Sequence, residues 1–190
     1  MAERLVVLSD MWGAKKGLWI TSYLGYLQQY FEIVYYDSQE LANLEVTVRT
    51  PENVCKAFVE GGYSTAVAHL LSRETQPSHY LTFCAGGTIA WSAALQGLPL
   101  KSLYAVSPLW LHRYDNSPEA PAKLLFGEYQ ENKPAQAWAQ QLGVDMEVMP
   151  NFGRELYSDE KIIGKICLEL LESVTQQPVT PQLTKQLSTY

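Results

Sequence analysis

The sequence predicts an α/β fold in which helices cover both faces of a doubly wound, mostly parallel six-stranded sheet, giving a three-layer αβα sandwich. Two observations support this prediction. Short apolar bursts alternate with helical patterns from one end of the chain to the other, as in repeated βα units. The bursts are also continuous, as in Leu5-Val6-Val7-Leu8, which is typical of parallel strands that are buried on both faces.

The strands and helices follow from these patterns in chain order. We predict six strands, at residues 4–8, 32–36, 79–83, 102–106, 122–126 and 145–149. We predict five helices, at residues 17–30, 53–73, 86–96, 135–142 and 159–173. Gly97 and Gly143 follow helical patterns and suit the left-handed conformation that often ends a helix. Pro134 suits the first turn of the next helix, where the amide hydrogen that proline lacks would have no partner.

The size and composition favour one folded domain. The chain has 190 residues, of which 47% are hydrophobic, enough for a single core over residues 1–174. Residues 175–190 are polar, contain two prolines and are predicted to form a tail. The net charge of −6 and the absence of a Lys/Arg cluster argue against a nucleic-acid partner. The apolar runs are too short to span a bilayer, and no signal-peptide pattern precedes them, so we expect no membrane association.

Three cysteines, Cys55, Cys84 and Cys167, have a spacing that matches no zinc motif, and we predict neither a metal nor a cofactor. Their odd number fits a reducing cytoplasm. Cys55 and Cys167 lie in helical patterns and are interpreted as small core residues.

Cys84 stands at the most informative point of the chain. An apolar run ends at this side chain, and Gly86, Gly87 and a helical pattern follow. This is the layout of a nucleophile elbow, in which a sharp turn joins a strand to a helix. The amides at the start of that helix stabilise a thiolate, so we expect the pKa of Cys84 to be lowered.

The loop at residues 9–12 is predicted to face Cys84. In a doubly wound sheet, ligands bind where the strand order reverses, beyond the carboxyl ends of the strands. If the first and third strands are neighbours there, the two loops meet. The amide of Ala85, with that of Met11 or Trp12, would then form an oxyanion hole. Asp10 would oppose an oxyanion if its carboxylate pointed inward.

With these two loops placed, residues 5–173 resemble the α/β-hydrolase superfamily, and in particular its small bacterial members without a cap. Residues 5–13 match the family's strand and oxyanion loop. Residues 82–86 match its Gly-x-Ser-x-Gly motif, with Thr82 for the first Gly and Cys84 for Ser. A Cys at this position is similar to dienelactone hydrolases. The family's two leading antiparallel strands and its lid are missing from the sequence.

The resemblance also implies a degenerate catalytic triad. The family's acid position falls on Gln130, with Glu131 one residue away, and its His position falls on Arg154. No His follows residue 112. Arg154 stays protonated and cannot serve as a general base, although it could bind an anion. Gln130 is interpreted as a surface loop residue.

A relocated base is an alternative. His112 follows the fourth strand on the same sheet edge as Cys84, and Asp115 lies three residues further on. These two could act as a base pair for Cys84, or His112 could be a solvated loop residue. His69 lies in a helical pattern, and His79 lies at the opposite end of its strand from Cys84.

Three functions remain open from the sequence. One is an acyl hydrolase that attacks small esters or thioesters through Cys84. The second is a catalytically inactive hydrolase-like protein that binds a small ligand or a protein partner. The third is a thiol redox sensor. Trp12 and Trp110 follow strand carboxyl ends and could line an apolar pocket, and exposed aromatic side chains leave a homodimer open.

Overall fold

The computed structural model describes residues 2–175 and contains one six-stranded sheet. Its strands are β1 (Glu3–Leu8), β2 (Phe31–Tyr36), β3 (Ser78–Phe83), β4 (Leu100–Val106), β5 (Ala122–Gly127) and β6 (Asp145–Met149). All neighbouring strands are parallel, in the order β2-β1-β3-β4-β5-β6. The predicted fold class and all six predicted strands are therefore confirmed, each strand to within two residues.

The helices are α1 (Ile20–Leu27), α2 (Ser38–Leu41), α3 (Pro51–Ala57), α4 (Tyr63–Arg73), α5 (Ala85–Leu95), α6 (Gln136–Leu142) and α7 (Glu160–Thr175). The single helix predicted at 53–73 is interrupted by a π-helical turn, Phe58–Gly62. Gly61 has φ 140° there, a conformation that glycine adopts without a steric penalty. The short helix α2 was missed, and the Asp37 carboxylate caps it by accepting from the amides of Gln39 and Glu40.

The predictions made for the helix ends are partly confirmed. Gly143 does end α6 in the left-handed conformation, with φ 66°. Pro134, however, lies before the N-cap residue Ala135 and not in the first turn, because the extended ψ of 153° at Ala135 delays the helix. Helix α7 includes Thr175, the first residue of the predicted tail. The rest of that tail lies outside the described residues.

The helices form two layers around the sheet. Helices α1 and α7 pack together on one face, where the Tyr23 hydroxyl donates to the Tyr157 carbonyl at 2.7 Å. Helices α4, α5 and α6 cover the other face, where Trp91 is fully buried and its ring centroid lies 5.9 Å from that of Trp138. The core is continuous through the four inner strands. Within residues 2–175, no helix is long and apolar enough to cross a membrane.

Helix α5 approaches the end of β1 very closely at Gly86. A Cβ at this position would lie 2.5 Å from the Ser9 carbonyl oxygen and 2.8 Å from Leu8 Cβ. Since the first of these atoms belongs to the backbone, no side-chain rotation can make room. The contact brings the start of α5 against the loop that follows β1.

We predict that Gly86→Ala lowers the free energy of unfolding by about 1–3 kcal/mol, because the added methyl overpacks a backbone contact. Gly25→Ala is the matched control, since Gly25 is an exposed position of α1 where an added Cβ would meet no atom within 4 Å. That control should raise stability by about 0.5–1 kcal/mol through helix propensity. Urea denaturation followed by circular dichroism measures both. Equal stability of the two variants would contradict the proposed close approach.

Candidate active site

Cys84 occupies the sharp turn between β3 and α5. Its backbone has φ 48° and ψ −117°, a conformation that non-glycine residues rarely adopt. The Cys84 amide donates to the Val106 carbonyl at 2.9 Å, and the Gly87 amide donates to the Cys84 carbonyl at 3.0 Å. The strand, strained turn and helix of a nucleophile elbow are all present, and Cys84 is only 1% exposed.

The loop after β1 meets Cys84 because β1 and β3 are neighbours, with Leu8 in register with Thr82. The backbone amides of Met11 and Ala85 lie close enough to the Cys84 sulfur to lower its pKa. The Trp12 amide has another partner, since it donates to Asp10 Oδ1 at 3.0 Å. Of the two amides predicted for this loop, Met11 therefore faces the sulfur and Trp12 does not.

Asp10 is buried beside the elbow. Only 4% of the residue is exposed, and its second carboxyl oxygen accepts from the Tyr157 hydroxyl at 3.1 Å. Burial raises the pKa of Asp10 itself, and its negative charge in turn raises the pKa of Cys84. An anion formed next to Cys84 would experience the same repulsion from Asp10.

The pKa of Cys84 is raised in the structure, whereas the sequence predicted a lowered pKa. Burial is the largest cause and Asp10 the second, and together they raise the pKa of the thiol to about 12. The charge of Arg154 and the amides of Met11 and Ala85 act in the other direction but do not compensate. The prediction of a lowered pKa was wrong because the cost of burying a thiolate exceeds the stabilisation by the helix terminus.

Two tyrosines close the site, and neither was predicted. Tyr157 lies in a 3₁₀ turn, Leu156–Ser158, and Tyr63 begins α4 next to the π-helical turn. The pKa of each phenol is raised, first by burial and then by the neighbouring Cys84. Tyr157 could have been found as a polar side chain in the loop after the last strand. Tyr63 carries no comparable signal, since its position depends on the break in the helix.

The two positions that the family resemblance assigns to the triad's acid and base, Gln130 and Arg154, line one cleft. Gln130 is only 5% exposed, so its interpretation as a surface residue was wrong, and its Oε1 has no hydrogen-bond partner within residues 2–175. Glu131 is exposed. Arg154 is half-buried. Its positive charge partly offsets the burial that raises the pKa values of Cys84 and Cys55. Its carbonyl accepts from the Ser107 hydroxyl at 2.6 Å, which fixes the backbone at this position.

The histidines lie elsewhere. His112 is exposed, and its Nδ1 lies 3.2 Å from the Asn132 carbonyl oxygen. In the described part of the chain, His112 forms no hydrogen bond with Cys84 or Asp115. His69 Nδ1 lies 2.7 Å from the Leu41 carbonyl, and His79 pairs with Ser102 at the opposite end of β3. The structure therefore does not assemble the alternative base pair around Cys84.

The cleft has a volume of about 610 Å³. It is lined by Cys55, Leu109, Trp110, Tyr129, Gln130, Glu131, Asn132, Gly153, Arg154 and Glu155. Trp110 lines it as predicted, whereas Trp12 lines a separate cleft of about 340 Å³ with Asp10 and Tyr157. Cys84 lines neither of these two clefts. Among residues 2–175, no group of three or more His, Cys, Asp or Glu side chains is arranged to hold a metal ion.

Solved structures share this architecture. A candidate CIB-like hydrolase from Thermoplasma acidophilum has a TM-score of 0.64 at 16% identity, covering 90% of this chain and 86% of its own. A candidate α/β-superfamily hydrolase from Xanthomonas campestris has a TM-score of 0.64 at 18% identity, covering 90% and 99%. A candidate dienelactone hydrolase from Klebsiella pneumoniae has a TM-score of 0.65 at 15% identity, covering 90% and 85%.

These likenesses show that the chain has the α/β-hydrolase fold, with an open parallel sheet and no lid evident in residues 2–175. No family model matches the sequence, and no curated protein matches it either. Activity therefore has to be argued from the site itself.

We predict that Cys84 is alkylated by iodoacetamide far more slowly than Cys55 at neutral pH, because its thiol is buried and stays protonated below about pH 12. Asp10→Asn removes the neighbouring negative charge and should lower the pH at which Cys84 reacts. Asp145→Asn, an exposed change at the start of β6, is the control. Peptide mass spectrometry across the pH range measures each cysteine separately. A Cys84 titration near the free-thiol value of about 8.5 would contradict this account.

Proposed function

We propose that the chain is an α/β-hydrolase-fold protein that binds a small molecule in the cleft beside the elbow and does not turn over acyl substrates. One observation carries this proposal. The position after the last strand, where the family resemblance places a His, holds Arg154. A guanidinium stays protonated at all relevant pH values, so it cannot accept a proton from the nucleophile or from water.

The environment of Cys84 supports the same conclusion. A thiol with a pKa of about 12 is almost wholly protonated near pH 7. Attack on an ester or thioester requires the thiolate, and hydrolysis of the resulting acyl-cysteine requires a base that activates water. The two amides that face the sulfur could stabilise an oxyanion, but they cannot move a proton.

The cleft itself is suited to a small ligand. Its volume of about 610 Å³ lies within the range of small-molecule sites. Leu109 and Trp110 supply apolar surface, and Arg154 and Gln130 supply polar groups. Such a combination of an apolar wall and a few polar anchors is typical of binding pockets.

A Cys84-dependent acyl hydrolase is the second candidate, and the strained elbow favours it. A φ of 48° at a non-glycine residue is costly, and strain of this kind concentrates at functional sites. In that mechanism Sγ would bond to the acyl carbon, the alcohol or thiol would leave with a proton, and water would then release the acid. His112 and Asp115 would have to move to Cys84 to supply the base.

We predict that the wild-type protein and Cys84→Ala hydrolyse p-nitrophenyl acetate at the same low rate. The physical reason is that neither has a base able to complete deacylation. Release of p-nitrophenol over many enzyme equivalents measures turnover, and intact-mass spectrometry detects any acyl-cysteine. Sustained turnover that is lost in Cys84→Ala would overturn the proposal, and His112→Ala would then locate the base.

We predict that restoring the triad creates turnover. In the double variant Gln130→Asp, Arg154→His, a base replaces a cation whose charge already acts on Cys84. Hydrolysis of p-nitrophenyl acetate should rise by about 10²-fold or more, the usual contribution of general acid–base catalysis. The same double variant with Cys84→Ala is the control, and circular dichroism checks folding. A folded double variant without any gain would show that lost proton transfer is not what keeps the site inactive.

A further inference from the structure

Arg154 is unusual among the arginines of this chain because its guanidinium has no protein partner. It forms no hydrogen bond, ion pair or ring contact with any residue in 2–175. The other four arginines each have one: Arg4 pairs with Glu74, Arg49 donates to Gln39, and Arg73 and Arg113 lie over the rings of Tyr36 and Trp110. The position of Arg154 in the cleft leaves its guanidinium available to an anionic group that the chain itself does not supply.

The surroundings of Arg154 indicate what that group is attached to. Leu109 and Trp110 form an apolar wall in the same cleft, and the half-buried Cys55 lies beside them. Trp110 is held in place by the Arg113 guanidinium, which lies 4.5 Å from its ring centroid. A ligand that fits both features has an apolar body and one anionic end.

Gln130 is a second polar side chain in the wall of this cleft. It is only 5% exposed, yet its Oε1 accepts no hydrogen bond within the described residues. Buried polar side-chain atoms nearly always have a partner, either protein or ordered water. The Oε1 atom is itself enclosed by protein, so the anchor for a ligand in this cleft is Arg154 and not Gln130.

We propose that the cleft binds a small apolar carboxylate, anchored by two N–H bonds from the Arg154 guanidinium and packed against Leu109 and Trp110. This inference rests on the proposed function, because it assigns a ligand class to the same cleft. The planar guanidinium fork matches a carboxylate in a bidentate arrangement. The charge balance favours a singly charged head group over a phosphate, since Glu131 and Glu155 also line the cleft and repel a dianion more strongly.

The test compares two probes of the same shape, 4-phenylbutyrate and its neutral amide, 4-phenylbutyramide. Isothermal titration calorimetry on the full chain should show the carboxylate binding at least tenfold more tightly than the amide. Arg154→Gln should remove this preference, and Arg154→Lys should retain only part of it because it lacks the fork. Arg73→Gln, on the exposed end of α4, is the control and should leave both affinities unchanged. Inorganic phosphate should bind more weakly than the carboxylate.

Each other result overturns the inference in a distinguishable way. Equal binding of the acid and the amide would refute the carboxylate preference while leaving ligand binding in the cleft intact. An undiminished preference in a folded Arg154→Gln variant would move the anchor to another residue. Binding of neither probe would refute the ligand class. Failure of the proposed function would appear instead as Cys84-dependent turnover of p-nitrophenyl acetate, which these titrations do not measure.

Discussion

The contact between Gly86 and the end of β1 is the constraint on which the site depends. Because Gly86 has no Cβ, the first turn of α5 can lie against the Ser9 carbonyl and Leu8. Cys84 is then forced through a strained turn, held by the Val106 carbonyl on the neighbouring strand. The same approach sets the amides of Met11 and Ala85 on the Cys84 sulfur and brings Asp10 beside it. The absence of a Cβ at Gly86 thus positions the Cys84 thiol, the two amides and the Asp10 carboxylate whose charge opposes a thiolate.

Different parts of the structure determine the backbone of the elbow and the side chains that the family resemblance assigns to proton transfer. The elbow retains its backbone strain and its two amides, which are the parts that depend on local packing. The positions that the family resemblance assigns to proton transfer lie in two other loops and hold Gln130 and Arg154. Burial and Asp10 then keep the thiol protonated. A fold can keep an elbow for packing reasons after the residues that made it reactive have changed.

The sequence was sufficient for the sheet but only partly for the site. Continuous apolar runs identify buried parallel strands, and the strand order placed the loop after Leu8 opposite Cys84. Gly61 interrupts the predicted long helix, since glycine allows a conformation that helical periodicity does not reveal. The burial of Gln130, the closeness of Tyr157 to Asp10 and the raised pKa of Cys84 all result from long-range packing. Local patterns carry no information on such distances, so these features were missed or predicted wrongly.

An Arg at position 154, where the family resemblance places a His, would change the chemistry that the cleft can perform. A histidine alternates between proton donor and acceptor near neutral pH, which suits catalysis. An arginine is a permanent cation with a rigid fork of donors, which suits recognition of an anion. In a hydrolase the product acid must leave, and a fixed cation beside the nucleophile would retain it. Under the proposed function, the charge that would prevent this site from recycling an acyl intermediate is therefore the same charge that would hold a carboxylate.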